Sequence, residues 1–231
     1  MVLEAGNSMT TSAHALSALS ELCQIYWRPL YAFLRRQGYR PEDAQDLTQG
    51  FFAHLIESRT YTHADREKGR FRSFLLGALK HFIADVRDRR YALKRGGGII
   101  PESLDENAII EAEIQIARAK NYQADEVYDR EWAASLLREA LNRLTQEYAV
   151  TGKAELVRYL TPYLAAPEES AIPYEEMARQ LHRPIGTLRS DVARLRARYR
   201  AILREEVRST VTEATEVDEE LRYLCRALAA I

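Results

Sequence analysis

Cysteine, glycine and long apolar runs are all scarce in this chain, and each scarcity excludes something. The only two cysteines, Cys23 and Cys225, stand near opposite ends without metal-type spacing. A disulfide framework is therefore not expected, and a reducing, cytoplasmic setting fits. No stretch approaches the roughly 20 apolar residues of a membrane span. The first residues offer neither a basic n-region nor an apolar h-region, so no membrane and no secretory leader are expected. Ten glycines in 231 residues, with no sustained period-2 alternation and no convincing hairpin turn, argue against strands. Catalytic signatures are missing as well: there is no HExxH, no glycine-rich phosphate loop and no nucleophile elbow. His81 and Asp85, four apart on one expected helix, read as a surface ion pair. The expectation is a non-enzymatic protein that needs no cofactor and no metal.

What remains is an all-α pattern on a nearly neutral chain. The formal net charge is −1, but its distribution is uneven. Residues 66–95 carry ten Lys/Arg against three acids, and residues 186–208 seven Arg against three acids. Residues 101–131 carry nine acids against three bases, and residues 209–231 five against two. Two basic islands are thus separated and followed by acidic segments, a layout that suits two nucleic-acid contacts better than the total charge suggests.

Apolar residues at 3–4 spacing place helices at about 15–37, 41–58, 70–94, 129–149, 153–164, 173–182, 185–208 and 215–229. Pro41 suits a first helical position, and Glu42 and Asp43 favour the positive end of the helix dipole. Phe71, Phe74, Leu75, Ala78, Leu79, Phe82 and Val86 are expected to face inward from the third helix. Gly96, Gly97 and Gly98 end that helix, and the acidic stretch beyond reads as a linker. The expected organisation is a first domain at 15–95, a linker at 96–128, a second domain at 129–208 and a helical tail at 209–231.

The segments at 173–182 and 185–208 read as a helix-turn-helix. Leu188, Val192, Leu195, Tyr199 and Ile202 form a buried stripe at 4-3-4-3 spacing. Arg189, Ser190, Ala193, Arg194 and Ala197 fall outside it. Small residues between arginines let a helix lie close to a groove floor while guanidiniums reach bases or phosphates. His182 stands where a glycine would ease the turn, and histidine tolerates left-handed geometry better than most residues. In the first basic island, Arg70, Arg72, Lys80, Arg87 and Arg90 are interleaved with aromatics. Cations track phosphates and aromatics can stack on unpaired bases, although Phe74 and Phe82, eight apart on one face, also fit a core. Tyr61, His63 and Lys68 in the preceding loop are candidates for reading an extruded base. Asp46 and Gln49, one turn apart, read either as a solvated face or as a polar patch for a partner helix.

With these residues in view, the chain from about Leu22 to Leu203 resembles the extracytoplasmic-function class of bacterial RNA polymerase sigma factors. Asp46, Leu47, Gln49 and Phe52 match that family's Asp-Leu-x-Gln-x-x-Phe pattern, which implies docking on the clamp helices of core polymerase. The segment from Phe71 to Arg90 matches the part that binds and melts the −10 promoter element. The helix-turn-helix matches the reader of the −35 element, with Thr187, Arg189, Ser190 and Arg194 as candidate DNA contacts. Gly69-Arg-Phe-Arg-Ser-Phe-Leu-Leu, Lys94-Arg-Gly-Gly-Gly and Glu219-Glu-Leu-Arg-Tyr-Leu are similar to a planctomycete-type subgroup with a longer inter-domain segment and a C-terminal tail. Phe74, His81 and Ala193 depart from the family, which often has Trp, Asn and a polar residue there. The resemblance implies two small helical domains, one like sigma region 2 and one like region 4. Its partners would be core polymerase and promoter DNA, with an anti-sigma factor as a further candidate. Two other readings stay open: a helix-turn-helix regulator acting without polymerase, and a helical anti-sigma or adaptor protein.

Overall fold

The helical periodicity resolves, in a computed structural model of the chain, into nine α-helices with no strand among the described residues. The structure describes residues 12–58, 70–92, 122–165, 172–211 and 213–229, with side chains left aside at 12–22, 89–92 and 165. The helices are α1 (Ser12–Arg36), α2 (Pro41–Glu57), α3 (Phe71–Ala92), α4 (Ala124–Val150), α5 (Ala154–Leu160), α6 (Pro162–Ala165), α7 (Tyr174–Leu181), α8 (Ile185–Thr210) and α9 (Val217–Ala229). A single 3-10 turn, Ala214–Glu216, precedes α9. Among the described residues no helix is long and apolar enough to cross a membrane. Tyr61, His63, Lys68, Gly96–Gly98 and most of the expected linker lie outside the described residues, as does the side chain of Arg90.

The chain divides into two compact units, Met1–Ser135 with Val207–Ile231, and Leu136–Glu206. These bounds differ from the expected ones at both ends. The helix expected to open at 129 starts at Ala124 and buries Val127, Tyr128 and Trp132 within the first unit. The C-terminal helix belongs to that unit too.

In the first unit, α1 buries Tyr26, Leu30, Tyr31, Phe33 and Leu34. Pro29 sits inside this helix and forfeits one ladder hydrogen bond. Gly38, at φ +92, ends α1 in the left-handed geometry that glycine adopts without cost, and the Tyr39 amide donates back to the Leu34 carbonyl at 3.2 Å. Pro41 then opens α2, whose Leu47, Phe51, Phe52 and Leu55 are buried. On α3 the buried positions are Phe71, Leu75, Leu79 and Ile83. Tyr26 meets Phe71 edge-on at 5.6 Å. Phe74, Ala78, Phe82 and Val86, expected inward, are only half-buried.

In the second unit one cluster gathers Ala140 and Leu144 of α4, Leu156, Val157 and Leu160 of α5, Tyr163 of α6, Met177 of α7, and Leu188, Val192, Leu195 and Ile202 of α8. The α8 stripe is thus buried as its spacing requires, with Tyr199 partly so. The deepest side chain of α7 is Met177, fully buried, while Ala178 and Leu181 pack on the cluster from its margin.

His182 closes α7 at φ 49 and ψ 45. The Arg183 amide bonds back to the Ala178 carbonyl at 3.1 Å, which needs this left-handed residue. A side chain with a Cβ is strained there by about 1 kcal/mol. His182→Gly is expected to raise the stability of the second unit by about 1 kcal/mol, read as a higher urea midpoint with an unchanged slope; a lower midpoint would show that the histidine ring makes up for its backbone.

Candidate nucleic-acid interface

The α7–turn–α8 segment presents a narrow outward strip. Gly186, Ser190, Ala193 and Ala197 fall on one side of α8, all exposed, opposite the buried stripe. Arg189 and Arg194 flank the strip on either side and are exposed as well, as is Thr187. Ser190 donates its hydroxyl to the Gly186 carbonyl at 3.0 Å, one turn back. The Arg189 guanidinium lies 5.5 Å from the centre of the Tyr174 ring, the first residue of α7. Pro184 opens α8, its carbonyl accepting from the Thr187 and Leu188 amides at 3.0 and 3.1 Å.

Asp191, almost buried, organises the edge of this surface. Its carboxylate takes Arg183 from the turn at 2.8 Å and Arg194 from its own helix at 2.6 Å. Arg194 is thereby aimed by an ion pair rather than left to swing. Sequence periodicity missed Asp191 because a single acid in an arginine-rich helix breaks no pattern.

The remaining α8 arginines divide by role. Arg196 donates twice to the Tyr163 carbonyl, at 3.0 and 3.1 Å. Arg198 holds Glu147 of α4 through two bonds of 2.6 and 2.8 Å. From the other side, Arg143 of α4 pairs with Glu205 and Glu206 of α8. The hydrogen bond from Arg198 keeps the Glu147 carboxyl below its ordinary value near 4.5, with the charges of Arg198 and Arg143 adding to it. The arginine count thus overstates the number of cations available to a ligand, since Arg196 and Arg198 are laced to their own unit.

In the first unit the expected residues separate into outward and inward sets. Asp46 is exposed and Gln49 half-buried. With Glu42, Ala53 and Ile56 they form the outward stripe of α2, at helical spacing. Ile56 is 41% exposed, an apolar end to a polar stripe. Leu47 and Phe52 are buried, so they seat α2 rather than lie on its open face.

Lys80 and Arg87 are exposed on α3. Lys80 pairs with Asp125 of α4 at 2.8 Å. Arg70 and Arg72 are engaged differently. Arg72 is 6% exposed, between Glu220 of α9 at 2.7 Å and Asp129 of α4 at 2.5 Å. Its guanidinium lies 4.0 Å from the Tyr223 ring centre and 5.1 Å from that of Trp132. The Tyr128 hydroxyl donates to the Arg72 carbonyl at 2.9 Å. Burial alone would disfavour the Arg72 charge, but the bond to Glu220 and the charges of Glu220 and Asp129 outweigh it and raise its pKa. Arg70 reaches Glu220 at 2.7 Å and Glu219 at 3.2 Å.

A cavity of about 430 Å³ opens in the same unit, lined by Phe51 and His54 of α2 and by Phe74, His81, Phe82 and Asp85 of α3. Gly77 and Ala78 keep α3 low there. Phe74 and Phe82 are half-buried because they wall this cleft, with Phe82 stacked on His54 at 5.6 Å. His81 and Asp85, read from spacing as a surface pair, line the same cleft.

Compared with protein-family models, with curated proteins and with solved structures, the chain matches none.

Two outcomes follow. Arg72→Ala leaves Glu220 and Asp129 without their shared counter-charge, and is expected to cost about 3 kcal/mol in urea unfolding, whereas Arg70→Ala, at a half-exposed position, should cost under about 1 kcal/mol. Equal losses would contradict the geometry. The depressed Glu147 carboxyl contributes stability that is present above its unfolded pKa and lost as pH falls through its folded value. Arg198→Ala should therefore lower stability at neutral pH and flatten the acid limb of a stability-versus-pH curve below about pH 4.5.

Proposed function

We propose that this chain is a sigma factor of the extracytoplasmic-function type, directing core RNA polymerase to specific promoters. The observation that carries the reading is the α7–turn–α8 surface, a strip of small residues flanked by Arg189 and by an Arg194 held in place through Asp191. A helix of this form can approach the floor of a major groove, with Thr187, Arg189, Ser190 and Arg194 reaching base edges or phosphates.

The first unit supports the polymerase half of the proposal. The stripe of Asp46 and Gln49, ending at Ile56, is an outward surface with polar specificity and an apolar anchor, suited to a partner helix. Leu47 and Phe52, which share the same motif, hold that helix on its core. In this reading the first unit carries clamp docking and the −10 contacts, through Arg70, Arg72, Lys80, Arg87 and Arg90. The second carries the −35 contact, which makes two functional modules. The division of labour has a physical logic: phosphate contacts supply affinity in both modules, and base contacts on α8 supply choice. A helix-turn-helix alone fits a polymerase-independent regulator equally well; the α2 stripe favours the sigma reading.

Run-off transcription with core polymerase on a library of promoter fragments tests it. Discrete new start sites are expected when the protein is added. Asp46→Ala with Gln49→Ala should remove them without altering folding. Arg194→Ala should weaken selection by about 1–3 kcal/mol if it reads a base, or lower the logarithmic salt slope of binding by about 1 if it holds a phosphate. Tight, specific DNA binding with no initiation would transfer the protein to the regulator reading.

A further inference from the structure

The C-terminal helix brings its acids and its aromatic to the two arginines at the start of α3. The first turn of α9 is Asp218, Glu219 and Glu220. Glu220, 1% exposed, is shared by Arg70 and Arg72 at 2.7 Å each. Glu219, 60% exposed at its side chain, takes a second nitrogen of Arg70 at 3.2 Å. One turn on, the Tyr223 ring lies under both guanidiniums, at 4.0 Å from Arg72 and 5.8 Å from Arg70. The Tyr223 hydroxyl donates to Asp129 at 2.5 Å, which fixes the ring in that place.

This set of groups has a familiar chemistry. Oxyanions on guanidiniums and a flat ring stacked beside them are the elements by which arginine holds a single nucleic-acid strand. The bulk of an ordinary helix would explain cover over apolar residues. It would not explain why the covering face carries two adjacent carboxylates and an aromatic at the positions of the two arginines. The Arg72 charge is fully balanced in the free chain, so it exerts little pull on a distant phosphate.

We propose that α9 is an internal substitute for a nucleic-acid strand, and that it keeps the Arg70–Arg72 site closed until a strand displaces it. The proposal rests on the promoter reading for the identity of the displaced ligand as single-stranded DNA. Displacement does not strand Arg72 as a buried charge. When α9 leaves, Glu220 and Tyr223 leave with it while Asp129 of α4 stays as a counter-charge, and the uncovered side of the guanidinium opens to water or to phosphate. The cost to the ligand is that only the open fraction binds, so apparent affinity falls by that fraction. The device would hold free protein off DNA and admit a strand where it is already melted.

The test uses the full-length chain. A fluorescent single-stranded oligonucleotide is titrated at low salt against wild type and against Glu219→Gln with Glu220→Gln, a change that keeps shape and removes charge. About tenfold tighter binding by the variant is expected, with unchanged helicity by circular dichroism. In parallel, hydrogen exchange is followed on the unaltered protein, so that the answer does not depend on the variant folding. Amides of Val217–Ala229 should exchange faster when the oligonucleotide saturates, while those at the start of α3 slow down. Equal affinity in both proteins, or slower exchange in α9 on binding, overturns the closed-site proposal and leaves the promoter reading intact. No binding by either protein also overturns it, and run-off transcription then decides the promoter reading separately.

Discussion

A guanidinium taken out of water must be paid for in full, and the first unit is organised around doing so for Arg72. Its side chain is enclosed by Glu220, Asp129, Tyr223 and Trp132, drawn from two other helices. Desolvating one such ion costs several kcal/mol, and only well-placed opposite charge offsets it. The arrangement therefore constrains three elements at once. The N-terminal turn of α3, the first half of α4 and α9 must all be seated for the charge to balance. Arg70 adds a second cation to Glu220 and reaches Glu219, so two guanidiniums share three carboxylates. Hydrophobic burial supplies most of the cohesion of the unit, but it is non-directional, and the ion cluster sets which helix face meets which.

The second unit solves a different problem. An arginine-rich helix must be held firmly on one side and left open on the other. Leu188, Val192, Leu195 and Ile202 anchor α8, while Arg196 and Arg198 lace its flanks to Tyr163 and Glu147. Asp191 then holds Arg183 and Arg194 at the margin of the exposed strip. Preorganising an arginine lowers the entropy lost when it meets a ligand. Buried stripe, laced flank and open strip follow one another around a single helix, and each carries its own residue type.

Much of this was legible in the residues. Helix positions, the α8 stripe, the left-handed turn at His182 and the outward placement of Asp46 follow from periodicity and local preference. Three features did not. Arg72 and Glu220 occupy inward positions, yet charged residues read as solvated whenever the partner lies far along the chain. Met177 outranks its neighbours in burial because α7 spans barely two turns, too short for a stripe to declare itself. Phe74 and Phe82 sit on an apolar face that opens to a cleft, and eight-residue spacing cannot separate a wall from a core. Local patterns report which face is apolar; they do not report what stands opposite.

The pairing of Arg72 with Glu220 spans 148 residues, and a ribosome makes chain from one end. At about 5–20 residues per second, roughly 7–30 s separate the emergence of the arginine from that of its partner. Until that interval ends, Glu220 is absent and the Arg72 charge lacks one of its two carboxylates. The first unit to be synthesised is thus the last to be completed, while Leu136–Glu206, contiguous in sequence, has all it needs beforehand.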